Sequence, residues 1–247
     1  MIKKLIFFLF VFLLSNNVYA SDCVVLLHGL AKSDRDMKRL EKVLTSEGYT
    51  AVNHDYESRS APIQKLAIDV VNAALKKCPA PDKNIDNKLA RKLENVHFVT
   101  HSMGGILVRY YLSKHTIANL GRVVMLGPPN KGSETIDKYR NVPGFSFISG
   151  PSGLQLGTGQ LSVPKSLGKA NFDVGIIAGT RSVNLILSSL IPNVDDGKVS
   201  VESTKLEGMQ DHINMPVTHP FMMKNKKVIA QVVNYLKKGK FARPNNS

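Results

Sequence analysis

The stretch Val96-His97-Phe98-Val99-Thr100-His101-Ser102-Met103-Gly104-Gly105 decides how the rest of the chain is read. Val96 to Val99 form a short strand-like run, and Ile106, Leu107, Tyr110 and Tyr111 recur after it at helical spacing. Ser102 therefore sits on a tight strand-to-helix turn. This is the layout of a nucleophile elbow, in which the turn strains the serine backbone and lifts its hydroxyl clear of the sheet. Strand and helix approach closely there, so the residues two before and two after the serine must be small. Here they are Thr100 and Gly104. Glycine is usual at both, and Thr100 departs from that pattern.

Upstream, Val24 to Leu27 is an unbroken apolar run that suits a strand buried on both faces, and His28-Gly29-Leu30 follows it. Ser33 caps the next helix, with Asp34 and Asp36 near its positive end and Met37, Leu40 and Leu44 as its stripe. Tyr49 to Asp55 reads as a second strand. Pro62 opens a helix whose buried face is Ile63, Leu66, Ala67, Val70 and Ala74. Pro79 to Lys92 is a polar connection. Downstream of the elbow, Arg122 to Leu126 and Phe172 to Gly179 read as strands, with a tight loop from Gly127 to Ser133 between them. Asn141 to Ala170 is rich in glycine and proline and has weak periodicity, so it reads as a long irregular stretch, a candidate lid. Val183 to Ile191 is a short apolar segment, either a core helix or part of that lid. A sixth strand lies between Lys205 and Val217, and the last helix runs from about Asn225 to Lys238 with Val228, Val232, Val233 and Leu236 inward. Strands alternating with helices imply an α/β fold: a mostly parallel sheet of about six strands with helices on both faces. Ligands bind such a sheet at the carboxyl ends of its strands. Ser102, the His28 turn, the Gly127 loop and the Asp195-Asp196-Gly197 turn all fall there.

The first twenty residues are a different material. Lys3 and Lys4 precede an apolar run from Leu5 to Leu14, and Val18-Tyr19-Ala20 offers small residues for cleavage. This reads as a signal peptide, residues 1–20, too short to span a bilayer. The expected product is a single α/β domain, residues 21–247, exported to the periplasm or the medium. Cleavage removes two lysines and no acid, taking the formal charge from +14 to +12. Such a charge suits peripheral contact with an anionic membrane surface. The lysines are scattered and no aromatic-basic stripe accompanies them, which argues against nucleic acid. The chain's two cysteines, Cys23 and Cys78, suggest one disulfide in an oxidising compartment. Cys23 opens the first strand, and Cys78 closes a helix returning to the same sheet edge. No C-x-x-C is present for redox catalysis.

A serine hydroxyl needs a base, and the base needs an orienting acid. The acid belongs in the turn after a late strand, where Asp196 is preferred over its neighbour Asp195. The base belongs just before the last helix, where His219 is preferred over His212. His54, His97 and His115 read as strand or surface residues, and His101 as a residue shaping the elbow. No H-E-x-x-H pattern exists, and no metal site is expected. The oxyanion donors would be the backbone N–H groups of Met103 and Leu30.

These residues carry a resemblance. Val25-Leu26-Leu27-His28-Gly29-Leu30, Val99 to Gly105, the Gly127 to Ser133 loop, Asp196-Gly197-Lys198-Val199 and a late His219 resemble the bacterial lipase/esterase branch of the α/β-hydrolase superfamily. The resemblance covers about Cys23 to Leu236. It implies cleavage of acyl esters or lipids through an acyl-serine intermediate on Ser102, with His219 as base and Asp196 as its orienting acid, and no organic cofactor. Acyl transfer or thioester cleavage by the same three residues is the alternative within enzymes. A non-catalytic lipid-binding protein on a hydrolase fold is the alternative outside them.

Overall fold

The structure is a computed structural model that describes residues 21–79, 95–182, 191 and 193–243. The candidate signal segment and most of the Pro79–Lys92 and Val183–Ile191 stretches lie outside the described residues. Six parallel strands form one sheet in the order β2-β1-β3-β4-β5-β6. They are β1 (Cys23–Leu27), β2 (Thr50–His54), β3 (Val96–His101), β4 (Leu120–Leu126), β5 (Val174–Gly179) and β6 (Asp211–Met215).

Period-two alternation divides the core into two layers. Val25, Leu27 and Phe98 face α2 (Ile63–Leu75) and α3 (Met103–Lys114), while Val24, Leu26 and Val99 face α1 (Asp34–Ser46) and the last helix. Met37, Leu40 and Leu44 of α1 are fully buried, as the spacing requires. Ser33 stands at the N-cap of α1, where its N–H donates to Asp36 at 3.5 Å. The last helix spans Lys226–Lys238 and buries Val228, Ile229, Val232, Tyr235 and Leu236. Val233, expected inward, is only partly buried, because helical spacing puts it at the edge of the stripe formed by those five residues. The Tyr235 ring would clash with any Cβ at Gly175, at 2.3 Å.

The stretch from Asn141 to Ala170 is not irregular. After α4 (Glu134–Tyr139) it forms α5 (Phe145–Leu154) and α6 (Val163–Ser166), and α7 (Val201–Thr204) precedes β6. Gly150 at φ 63° and Pro151 kink α5 in its middle. Helices this short carry too few turns to show a period, and glycine and proline erase what remains. Cys23 and Cys78 form a disulfide with Cα atoms 5.8 Å apart, tying the start of β1 to the end of α2. Among the described residues, no helix is long and apolar enough to cross a membrane.

Candidate active site

Register sets the site. Leu27 pairs with Thr100, and Thr100 with Met125, so the chain leaves β1, β3 and β4 at one level. Ser102 N–H donates to the Leu126 carbonyl at 2.9 Å, and Gly127 N–H to that of Ile177 at 2.9 Å. Ser102 then adopts φ 53°, ψ −122° as the residue before α3. A non-glycine residue held there stores about 1–3 kcal/mol, which persists only where the surroundings impose it. They do. A Cβ at Gly104 would lie 2.6 Å from the Leu27 carbonyl oxygen and 2.8 Å from that of His28, so α3 abuts β1 backbone to backbone. Thr100 is tolerated for a related reason. Its hydroxyl faces Gly105, where a Cβ would come within 3.2 Å, so the second glycine provides the room that the first position lacks.

The structure brings Ser102 and His219 to one cavity of about 170 Å³. His219 opens a 3₁₀ turn, His219–Lys224, immediately before α8 (Lys226–Lys238). Its Nδ1 lies 2.7 Å from Asp196 Oδ2. Asp196 is 0% exposed, and its Oδ1 accepts the N–H groups of Lys198 at 3.0 Å and Val199 at 2.9 Å. The His219 N–H also donates to the Asp196 carbonyl at 2.9 Å, so backbone and side chain both tie the pair. Gly127 permits the approach, since a Cβ there would sit 3.0 Å from Asp196 Oδ2 and 3.1 Å from His219 Nδ1. Asp195 instead turns its Oδ1 to the Gly197 N–H at 2.6 Å, and His212 pairs with Thr204 Oγ1 at 3.0 Å.

Leu30 lines the same cavity, and Met103 is the first residue of α3. The Leu30 loop is held by residues that sequence patterns did not single out. Ala31 adopts φ 54°, and its N–H donates to Ser58 Oγ at 2.9 Å. Tyr56 stacks on His28 at 4.1 Å, and its hydroxyl donates to the His28 carbonyl at 2.6 Å. Burial, then the nearby Asp55, raises the Tyr56 pKa and keeps that hydroxyl a donor. Asp55 Oδ1 stands 3.2 Å from His28 Nε2. Each of these partners follows β2, some 27 or 28 residues from its target, so no local motif reports it.

His101 also does more than shape the elbow. It is buried, its Nε2 lies 3.0 Å from the His219 carbonyl oxygen, and its ring packs 4.7 Å from that of His219. Burial, and then His219, hold its pKa well below the usual histidine range. A neutral imidazole must therefore carry its proton on Nε2 to donate to that carbonyl. No sequence motif marks Arg109. It is buried on α3, and its guanidinium donates to the Asn130 carbonyl and side chain, both at 3.1 Å, and to the Gly168 carbonyl at 2.8 Å. It clamps the loop after β4 to the chain leaving α6, and burial lowers its pKa to about 10. One side of the cavity wall is apolar, with Ile136, Phe145, Ile148 and Leu156 supplied by α4, α5 and the turn after α5. Among the described residues no three His, Cys, Asp or Glu side chains gather as a metal-ligand set.

The fold is that of the α/β-hydrolases. Among solved structures, the mature form of lipase BlEst2 from Bacillus licheniformis matches with a TM-score of 0.64 at 19% identity, covering 88% of this chain and 92% of that one. Lipase 1 from Pelosinus fermentans matches with a TM-score of 0.59 at 12% identity, over 88% and 98% of the two chains. Phospholipase PlaB from Legionella pneumophila matches at 0.56 and 17%, over 75% of this chain and 46% of that one. At such identities the likeness is one of fold. No curated protein sequence matches the chain. The chain belongs to the palmitoyl protein thioesterase family, whose model matches residues 23–169. That segment contains Ser102 and the His28–Leu30 turn, whereas Asp196 and His219 lie beyond its end.

Proposed function

We propose that the protein is an exported serine hydrolase that cleaves acyl esters through an acyl-serine intermediate. The observation that carries this reading is the strained Ser102, which shares a cavity with His219 while His219 is bonded to the buried Asp196. Ser102 Oγ attacks the acyl carbonyl as His219 Nε2 takes its proton. Asp196 holds the imidazole with its proton on Nδ1 and stabilises the imidazolium that forms. The backbone N–H groups of Leu30 and Met103 receive the oxyanion. His219 then protonates the leaving group and later activates the water that releases the acid. The apolar wall from α4 and α5 takes the acyl chain, and residues 141–170 act as the cap over it. The disulfide between Cys23 and Cys78 supports an oxidising compartment.

A fluorophosphonate probe should label the wild-type protein and not Ser102→Ala. Folded wild-type protein that resists the probe would favour a lipid-binding protein on a hydrolase fold. Membership in the palmitoyl protein thioesterase family supports a second reading, in which the scissile bond is a thioester. Matched oxygen esters and thioesters of one acyl chain separate the two by their kcat/KM ratio.

A further inference from the structure

The active-site cavity has a sign. Besides the imidazoles of His101 and His219, the ionisable side chains that line it among the described residues are Lys32 and Lys198, with no carboxylate. Lys32 follows the Leu30 loop by two residues, and Lys198 follows Asp196 by two, so the catalytic turns themselves deliver both ammonium groups to the rim. Lys32 has a weak partner in Asp36, at 3.6 Å, and Asp36 is already engaged by Lys224 at 3.0 Å. Lys198 has no carboxylate within ion-pair distance among the described residues. Lys198 is exposed at the rim, where loss of water on the cavity side, and then Lys32, hold its pKa below the usual lysine range, with Asp196 opposing. Both lysines also bear on His101 at the cavity floor. Two cations that repel each other and lack full counter-charge form a site that an anion would relieve.

We infer that Lys32 and Lys198 recognise a phosphate carried on the leaving group, so that the preferred substrates are acyl esters of phosphate-bearing alcohols rather than neutral glycerides. The anion belongs on the leaving group because the acyl chain has only the apolar wall of Leu30, Ile136, Phe145, Ile148 and Leu156 to occupy. A charge on the acyl tail would be stripped of water there without a partner. A phosphate suits two flexible point charges, which need no fixed fork geometry. This inference rests on the Ser102 hydrolase reading and narrows its substrate class.

The test compares kcat/KM for a monomeric butyryl ester of glycerol phosphate with that for neutral monobutyrylglycerol. The wild-type protein is expected to prefer the phosphate ester, and the double variant Lys32→Gln/Lys198→Gln to lower the ratio by about tenfold or more. Lys198→Arg, which keeps the charge, should retain most of the preference. Lys65→Gln, which removes one exposed charge outside the cavity lining, should leave the ratio unchanged. Raising the salt to 0.5 M should shrink the wild-type ratio and not that of the double variant. A wild type with no preference, or a preference that survives the double variant, overturns the inference. A parallel arm uses phosphatidylglycerol and phosphatidylcholine vesicles. Selectivity on vesicles without selectivity on the monomeric pair would assign the effect to the overall positive charge and also overturn it. If neither ester is cleaved, or Ser102→Ala cleaves both normally, the hydrolase reading itself fails.

Discussion

Replacing Asp196 with Asn alters almost no volume, and the surroundings dictate which way the new amide faces. In the native turn Oδ1 accepts two backbone N–H groups, from Lys198 and Val199, while Oδ2 faces His219 Nδ1. An amide NH2 cannot accept, so the carbonyl oxygen of the substituted residue must take the two N–H donors. Its NH2 then points at His219 Nδ1 and forces that nitrogen to offer a lone pair. The imidazole proton moves to Nε2, the atom that has to receive the proton of Ser102. Restoring the productive tautomer requires flipping the amide. That step leaves the two buried N–H donors of Lys198 and Val199 unpaired, at about 1–3 kcal/mol each. The cost of about 2–6 kcal/mol corresponds to roughly 30-fold to 10⁴-fold in rate. Hydrolysis of a p-nitrophenyl ester by Asp196→Asn should therefore lose that factor in kcat, with KM and the thermal midpoint little changed. Asp195→Asn, which alters a carboxylate capping its own turn, should cost less than about tenfold. A loss below tenfold in folded Asp196→Asn, or a larger loss in Asp195→Asn, would refute the assignment of the orienting acid.

Two further outcomes follow from groups away from the serine. The Cys23–Cys78 bridge spans 55 residues, for which loop-closure entropy gives about 4 kcal/mol at 25 °C. Urea unfolding with and without reductant should show that difference, and a change under about 1 kcal/mol would mean that the bridge does not constrain the unfolded chain. The second concerns acid. His54, His97, His101 and His212 all have pKa values lowered chiefly by burial, so the unfolded chain binds more protons than the folded one once the pH drops below about 6.5. Stability should be flat above that pH and fall below it, with His101 alone contributing up to about 1.4 kcal/mol per pH unit. The urea midpoint measured from pH 7.5 to 5 should show this slope, and His101→Asn should reduce it. An unchanged slope in the variant would place the proton uptake elsewhere.

Much of the architecture was legible because it is written in local patterns. The strand, turn and helix around Ser102, the stripes of α1 and α2, and the glycine after β1 each need only a few consecutive residues. What escaped is carried by partners distant in sequence. Ser58 holds the Ala31 N–H, and its own carbonyl accepts from Ser152 Oγ at 2.6 Å, which joins the Leu30 loop to α5 through one unremarkable serine. Arg109 occupies a position that helical periodicity assigns to solvent, and only the covering segments at Asn130 and Gly168 make it a buried clamp. The helices within residues 141–170 were missed because kinks at Gly150 and Pro151 divide them into pieces shorter than a readable period. Asp195 and Asp196 are equivalent in composition, and only the direction of the chain through the turn separates them.

The bridge between Cys23 and Cys78 also bears on the order of assembly. Both cysteines precede β3, and between them lie β1, α1, β2 and α2, a unit with one parallel strand pair. A chain delivered from its N-terminus into an oxidising space can close that loop before the residues of the elbow arrive. The strand that leads into Ser102 would then pair with the free side of β1, against a template already covalently fastened.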